Sequence, residues 1–429
     1  MRKILIYLIL IHLILVTYSL QLRSIFINVP IYRDIIPILL SLYVVVSGQI
    51  RFQTVFDKLI GGYLIYSVFY IIFWSALGEN IVSMAMLFRN HFMAFVLYYV
   101  SRRIFMRQDA LNLLYKFISF TLIIMTASAI FEYFTIKVLG ISPFKFFWYD
   151  FVFRYDDRYI GNLVGGRGYI LPEVTPILGI LGFPHATSAL LVSLIGFYSL
   201  PFAKKTITLS DGQYFNFSIK FALMLFVSFV IIFFILKVRT SMVIFLLLFT
   251  VAPIFISGKN IYKIFLFVFV LMVLAISNEY VISSAFASLN EGFSSTHYKT
   301  SSFGQIISVN PITKIISTAP LNIIAGTPTN PAGSELRFLT YTLQFGLIWF
   351  ILFTTLFCYS LFFTYKLINI KTSSILDKKI QLGILFFLLA SFIDMGHYAR
   401  VMWYPMVDIF AILCGVLSSY ELKMKFKQN

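Results

Sequence analysis

Cysteine, histidine, acid and charge of any kind are scarce in this chain. Its two cysteines, Cys358 and Cys414, both fall in apolar stretches, which excludes a disulfide framework and a thiolate metal site. There are five histidines, no His-x3-His pair and no Asp-rich cluster, so neither a metal nor a cofactor is implied. No Gly-rich loop ending in Lys-Ser/Thr occurs, which removes ATP as an energy source for this chain. Neither a Ser-His-Asp motif nor a G-x-S-x-G elbow is visible. Heptads, low-complexity runs and internal repeats are also missing, and with them any sequence support for an inverted-repeat transporter. Charged residues make up 12% of the chain, against about a quarter in a soluble domain.

What is present is apolar. The chain is 60% hydrophobic with a mean hydropathy of +0.90, and runs of about 17–25 apolar residues recur along its length. The expected fold is an all-α polytopic membrane protein, a single integral membrane domain over 1–429 with twelve spans. These fall near 4–20, 35–50, 59–77, 81–100, 113–136, 185–203, 219–236, 241–257, 264–278, 338–365, 380–394 and 403–420. Met1–Leu20 is basic and then apolar without a small-residue cleavage site, which predicts a first membrane helix rather than a cleaved signal. The net charge of +17 is spread over many short loops, which fits topology control and not a nucleic-acid groove.

Charge orients the spans. With the N-terminus inside, the cytoplasmic segments carry Arg2/Lys3, Arg51/Lys58, Arg102/Arg103/Arg107, Lys204/Lys205, Lys259/Lys263, Lys366/Lys371/Lys378/Lys379 and Lys423/Lys425/Lys427. The positive-inside rule then places both termini in the cytoplasm. Two long polar segments, 137–184 and 279–337, become large outer loops.

The outer face concentrates the ionisable groups. In the first loop Arg167 is flanked by Gly165, Gly166 and Gly168, which let backbone approach a ligand closely, and His185 follows at the head of the sixth span. In "FFILKVRTSMVIFLL" Lys237 and Arg239 close a tight outer turn, where topology disfavours cations. Arg239 there either snorkels to headgroups or faces a polar cavity. Glu335 and Arg337 stand at the mouth of the tenth span, where a carboxylate is either a helix-dipole partner or a catalytic group. Asp394, His397 and Arg400 share one face at helical spacing. Arg89 interrupts the fourth span roughly 12 Å from its outer end at 1.5 Å per residue. A buried Arg at that depth needs a wet cavity or a partner such as Glu132. Arginine suits diphosphate because its planar fork donates bidentately and stays charged.

Three stretches together resemble the bacterial O-antigen polymerase and O-antigen ligase superfamily: "RGYILPEVTPILGILGFPHATSALL", "KVRTSMVIFLLL" and "SELRFLTYTLQFGLIW". The first is similar to the family's Arg-Gly stretch leading into a G-x-x-x-P-N/H-x-x-A helix start, and the second to its outer Ser-Arg-Thr hairpin. The third resembles the segment closing the large loop, where a short polar pair precedes an apolar helix with a turn at its glycine, here Gly346. Ligases carry His-Asn-x-Tyr-Leu at that third place. Here it reads Ser334-Glu335-Leu336-Arg337-Phe338, which favours a polymerase and leaves Glu335 or His397 to act as base.

The resemblance implies an architecture like the membrane glycosyltransferases that use lipid-linked sugars (GT-C-like). It also implies an undecaprenyl-diphosphate-linked oligosaccharide as substrate and a site on the periplasmic face of the inner membrane. Arg167, Arg239, Arg337, Arg400, Arg89 and His185 would bind diphosphate or glycan, and Trp148, Tyr149, Tyr155 and Tyr159 would stack on sugars or anchor the interface. The bilayer and a chain-length regulator protein are the remaining partners. The alternatives are an O-antigen ligase acting on lipid A–core and a flippase or transporter of lipid-linked oligosaccharide.

Overall fold

Apolar runs bounded by Thr, Asn and Gly set the helices. The computed structural model describes residues 2–18, 22, 29–48, 52–134, 138, 184–199, 226–236, 241–242, 244–245, 320–328, 337–370, 374–395, 400–402 and 405–428. In chain order its helices are α1 (Arg2–Thr17), α2 (Val29–Val46), α3 (Val55–Ala76), α4 (Ile81–His91), α5 (Leu97–Ile104), α6 (Gln108–Phe134), α7 (Pro184–Ser199), α8 (Pro320–Ala325), α9 (Arg337–Asn369), α10 (Ile375–Met395) and α11 (Met406–Gln428). Short 3-10 turns occupy Met93–Val96 and Arg400–Met402, and a π turn Ile231–Leu236. No strand occurs among the described residues.

Apart from α8, which lies within the expected outer segment 279–337, these helices follow the expected apolar runs to within a few residues, with three informative differences. α2 starts at Val29, six residues before the expected span, because Pro30 is accommodated in a first turn, where its missing N–H costs nothing. α11 runs to Gln428, so Lys423 and Lys425 are helical and meet the negative end of its dipole. The fourth span is not one rod: α4 and the helical stretch from Met93 to Ile104 meet at a bend of 58°. Among the described residues α3, α6 and Thr340–Ile368 of α9 are long and apolar enough to cross a membrane, and the bent pair makes a fourth. The expected ninth span, most of the eighth and most of both long outer segments lie outside the described residues.

The chain divides into two compact units. One comprises Met1–Leu39, Arg107–Phe265 and Lys371–Phe387; the other comprises Leu40–Met106, Leu266–Ile370 and Leu388–Asn429. In the first, α7 and α10 pack through reciprocal glycines: a Cβ at Gly196 would strike Phe386, and one at Gly383 would strike Phe197. Such small-for-large exchange gains dispersion contact where lipid supplies no hydrophobic drive between helices. The Ser188 and Ser241 hydroxyls share a buried 2.6 Å hydrogen bond in the same unit.

In the second unit α3 is inverted relative to a soluble helix. Its aliphatic Ile65, Val68 and Ile72 are exposed while Tyr63, Tyr66, Tyr70 and Trp74 are buried. An apolar exterior around a hydrogen-bonding interior is the arrangement a bilayer demands. The helix starts on a capping box, in which the Asp57 amide donates to Thr54 Oγ1 at 3.1 Å and the Thr54 amide to Asp57 Oδ2 at 2.7 Å. The Asp57 carboxylate also accepts from the Gln53 amide (2.9 Å), the Tyr98 hydroxyl (2.8 Å) and the Arg102 guanidinium. Arg102, expected as a loop cation, is instead 7% exposed beside a fully buried acid. Ser418 of α11 completes the cluster through Tyr98 (2.8 Å) and Thr54 (2.9 Å).

At the other end of α3 the buried aromatic stripe serves a broken helix. Gly346 within α9 takes φ 85°, ψ 172°, a conformation that only glycine adopts freely. The carbonyls freed by this kink are met from α3: Tyr70 donates to Gln344 O at 2.6 Å, and Tyr66 donates to Phe345 O. Trp74 Nε1 donates to Ala325 O at 3.3 Å, and Trp349 Nε1 to Tyr63 Oη at 2.8 Å.

Candidate functional site

A tight turn sets the first wall of a cavity in the second unit. α3 ends in a Schellman motif, in which the Gly78 amide donates to Ser75 O (3.2 Å) and the Glu79 amide to Trp74 O (3.0 Å). Gly78 adopts φ 100°, which a side chain would resist. Asn80 then caps α4, its Oδ1 accepting from the amides of Val82 (2.8 Å) and Ser83 (3.4 Å). The turn leaves Glu79 half-buried at the cavity edge.

The second wall is the head of α9. The segment after α8 docks on it through Thr327, whose amide donates to Leu343 O at 3.0 Å and whose hydroxyl donates to the same oxygen at 3.3 Å. Between these walls lies a cavity of about 670 Å³. The turn contributes Glu79, α4 contributes Ser83, Asn90 and His91, and α9 contributes Thr340, Tyr341 and Gln344. Met84, Met86, Leu87 and Pro328 supply apolar surface. Its lining among the described residues contains one carboxylate and no Lys or Arg.

His91 ends α4 where the helix breaks. Its ring meets Tyr341 and Phe345 edge-on at 5.1 and 5.2 Å, and its imidazole bonds the backbone of Met402. Arg89 lies beside the cavity on α4, half-buried, with Nη1 3.7 Å from Met86 Sδ.

Of the residues singled out from sequence, Arg167, Arg239, Glu335 and His397 lie outside the described residues. For Arg337, Arg400 and His185 the description covers the backbone: they open α9, open the Arg400–Met402 turn, and stand second in α7. Three separate sequence clusters still converge in one unit. The Arg89–His91 break, the helix headed by Arg337 and the turn headed by Arg400 meet through the cavity and through the His91–Met402 bond. His185 belongs to the other unit.

The sequence reasoning missed Glu79, Ser83, Asn90, Thr340, Tyr341 and Gln344. Two signals were readable: Thr340, Tyr341 and Gln344 form a polar stripe at helical spacing on an apolar run, and Gly78-Glu79-Asn80 puts an acid in a tight turn. Comparisons with protein-family models, with curated proteins and with solved structures find no match for this chain. Composition, the inverted α3 and the apolar helices define a helical membrane protein, here with a polar cavity between the break in one apolar helix and the head of another.

Proposed function

We propose that this protein is an O-antigen (surface polysaccharide) polymerase of the bacterial inner membrane, with twelve spans and a GT-C-like architecture. It joins undecaprenyl-diphosphate-linked oligosaccharide repeat units on the periplasmic face. An acceptor hydroxyl attacks the donor's anomeric carbon and loses its proton to a base, Glu335 or His397. The anomeric C–O bond breaks with its electron pair going to the lipid diphosphate, whose developing charge Arg167, Arg239, Arg337 and Arg400 offset. The observation that carries this reading is a polar cavity walled by the helix that ends at His91 and the helix that Arg337 opens, with the Arg400 turn bonded to His91 through Met402.

Deleting the gene and running lipopolysaccharide on a gel tests it. Loss of a polymerase leaves core plus one repeat unit, whereas loss of a ligase or flippase leaves bare core. In the same assay Arg239→Lys should cut polymer output on the order of 30- to 150-fold, since a point charge forfeits about 2–3 kcal/mol of forked contact. Unchanged ladders at normal protein level would return Arg239 to a snorkelling role. One observation favours a second reading, transport of the lipid-linked oligosaccharide: two discontinuous helices, α4 and α9, line the cavity, as in many carriers. Bare core in the deletion strain would select it over polymerisation.

A further inference from the structure

We propose that the cavity between α4 and α9 is a sugar site that takes the uncharged, hydroxyl-rich end of a glycan and rejects the diphosphate. The inference rests on the glycan reading above and divides the substrate between two places.

Four observations carry it. The lining offers hydroxyls from Ser83, Thr340 and Tyr341, amides from Asn90 and Gln344, and the Glu79 carboxylate, a set that donates to and accepts from sugar hydroxyls in either sense. The Glu79 carboxylate has no hydrogen-bond or ion-pair partner among the described residues, so its acceptor capacity is unspent. No Lys or Arg lines the cavity among the described residues, and a diphosphate beside an unpaired carboxylate in a weakly polar surround is repelled. The fourth concerns the amides that open α4, which would otherwise form a ready anion site. Those of Val82 and Ser83 are already bonded to Asn80 Oδ1. The volume of about 670 Å³ falls inside the range of about 300–1,000 Å³ typical of small-molecule sites.

The test uses the full-length protein in lipid nanodiscs, with two probes followed by calorimetry. One probe is the repeat-unit oligosaccharide cut from the host's own surface glycan and freed of lipid and phosphate. The other is undecaprenyl diphosphate without sugar. Glu79→Gln removes a charge-assisted acceptor and should weaken oligosaccharide binding on the order of tenfold or more. Ser83→Phe, at an exposed position of α4, intrudes into the cavity without changing Glu79 and should weaken that binding on the order of tenfold or more. Both variants should bind undecaprenyl diphosphate as the wild type does. Oligosaccharide binding that is absent, or equal in wild type and both variants, overturns the proposal, as does loss of undecaprenyl diphosphate binding in Ser83→Phe. Oligosaccharide binding with the expected variant losses, together with full-length ladders in the deletion strain, would sink the polymerase reading and keep the sugar site. Single-repeat lipopolysaccharide in that strain, with no oligosaccharide binding, would do the reverse.

Discussion

Asp57 and Arg102 are 45 residues apart in the chain, which is why charge counting assigned Arg102 to a solvated inner loop. A cation's partner is a tertiary fact when neither helical spacing nor a turn links the two. Their burial makes the pair asymmetric: each charge is tolerable only beside the other. Asp57→Ala should therefore lower stability by about 3–5 kcal/mol, because the buried Arg102 guanidinium loses its carboxylate. Replacing both at once with apolar residues, Asp57→Leu with Arg102→Met, should recover much of that loss. The Arg107–Asp109 pair, at 3.0 Å but more than half exposed on both sides, serves as the control, and Asp109→Ala should leave no measurable loss. Thermal unfolding in detergent, read as the fraction retained at monodisperse size, compares the three.

The helices themselves were legible, because runs of apolar residues with few charges specify them without help from tertiary contacts. Where they break was legible only in part. The charged interruption at Arg89 and His91 was visible, but the 58° bend depends on packing that has no local signature. At Gly346 the resemblance implies a turn, but the apolar run around it does not set the geometry of that turn. Its conformation is fixed by the docked segment, since a Cβ there would strike Ile324 O and the Gly326 amide. Gly346→Ala should accordingly cost about 2 kcal/mol or more through backbone strain alone. Gly62 of α3 offers the opposite case: its added Cβ would meet Leu352 Cδ2 at an ordinary 3.6 Å. Gly62→Ala should be neutral or gain up to about 1 kcal/mol from helix propensity. Limited proteolysis and unfolding temperature on the two variants check the contrast. A Gly346→Ala protein as stable as wild type would mean that the kink relaxes without penalty.

At the scale of the whole chain, inside and outside were read from the basic bias of short loops. Reporter fusions at Lys205 and Lys371 should give a cytoplasmic signal, and fusions at Gly161 and Asn310 a periplasmic one. A cytoplasmic signal at Asn310 would overturn that orientation. The cavity escaped the sequence for a different reason: its walls come from residues 79–91 and 340–344, and no periodicity spans such a gap. That same separation governs how the chain is made. Tyr66 and Tyr70 donate to carbonyls 279 and 274 residues downstream, and Thr54 waits 364 residues for Ser418. At roughly 5–20 residues per second of synthesis, the phenols of α3 stand in the bilayer for on the order of tens of seconds before their acceptors exist. During that interval α3 is a helix with an unserved polar stripe, and any neighbour able to shield it competes with its own tail. Emergence of α9 and α11, more than insertion of the early spans, is thus the event that commits the second unit to its fold.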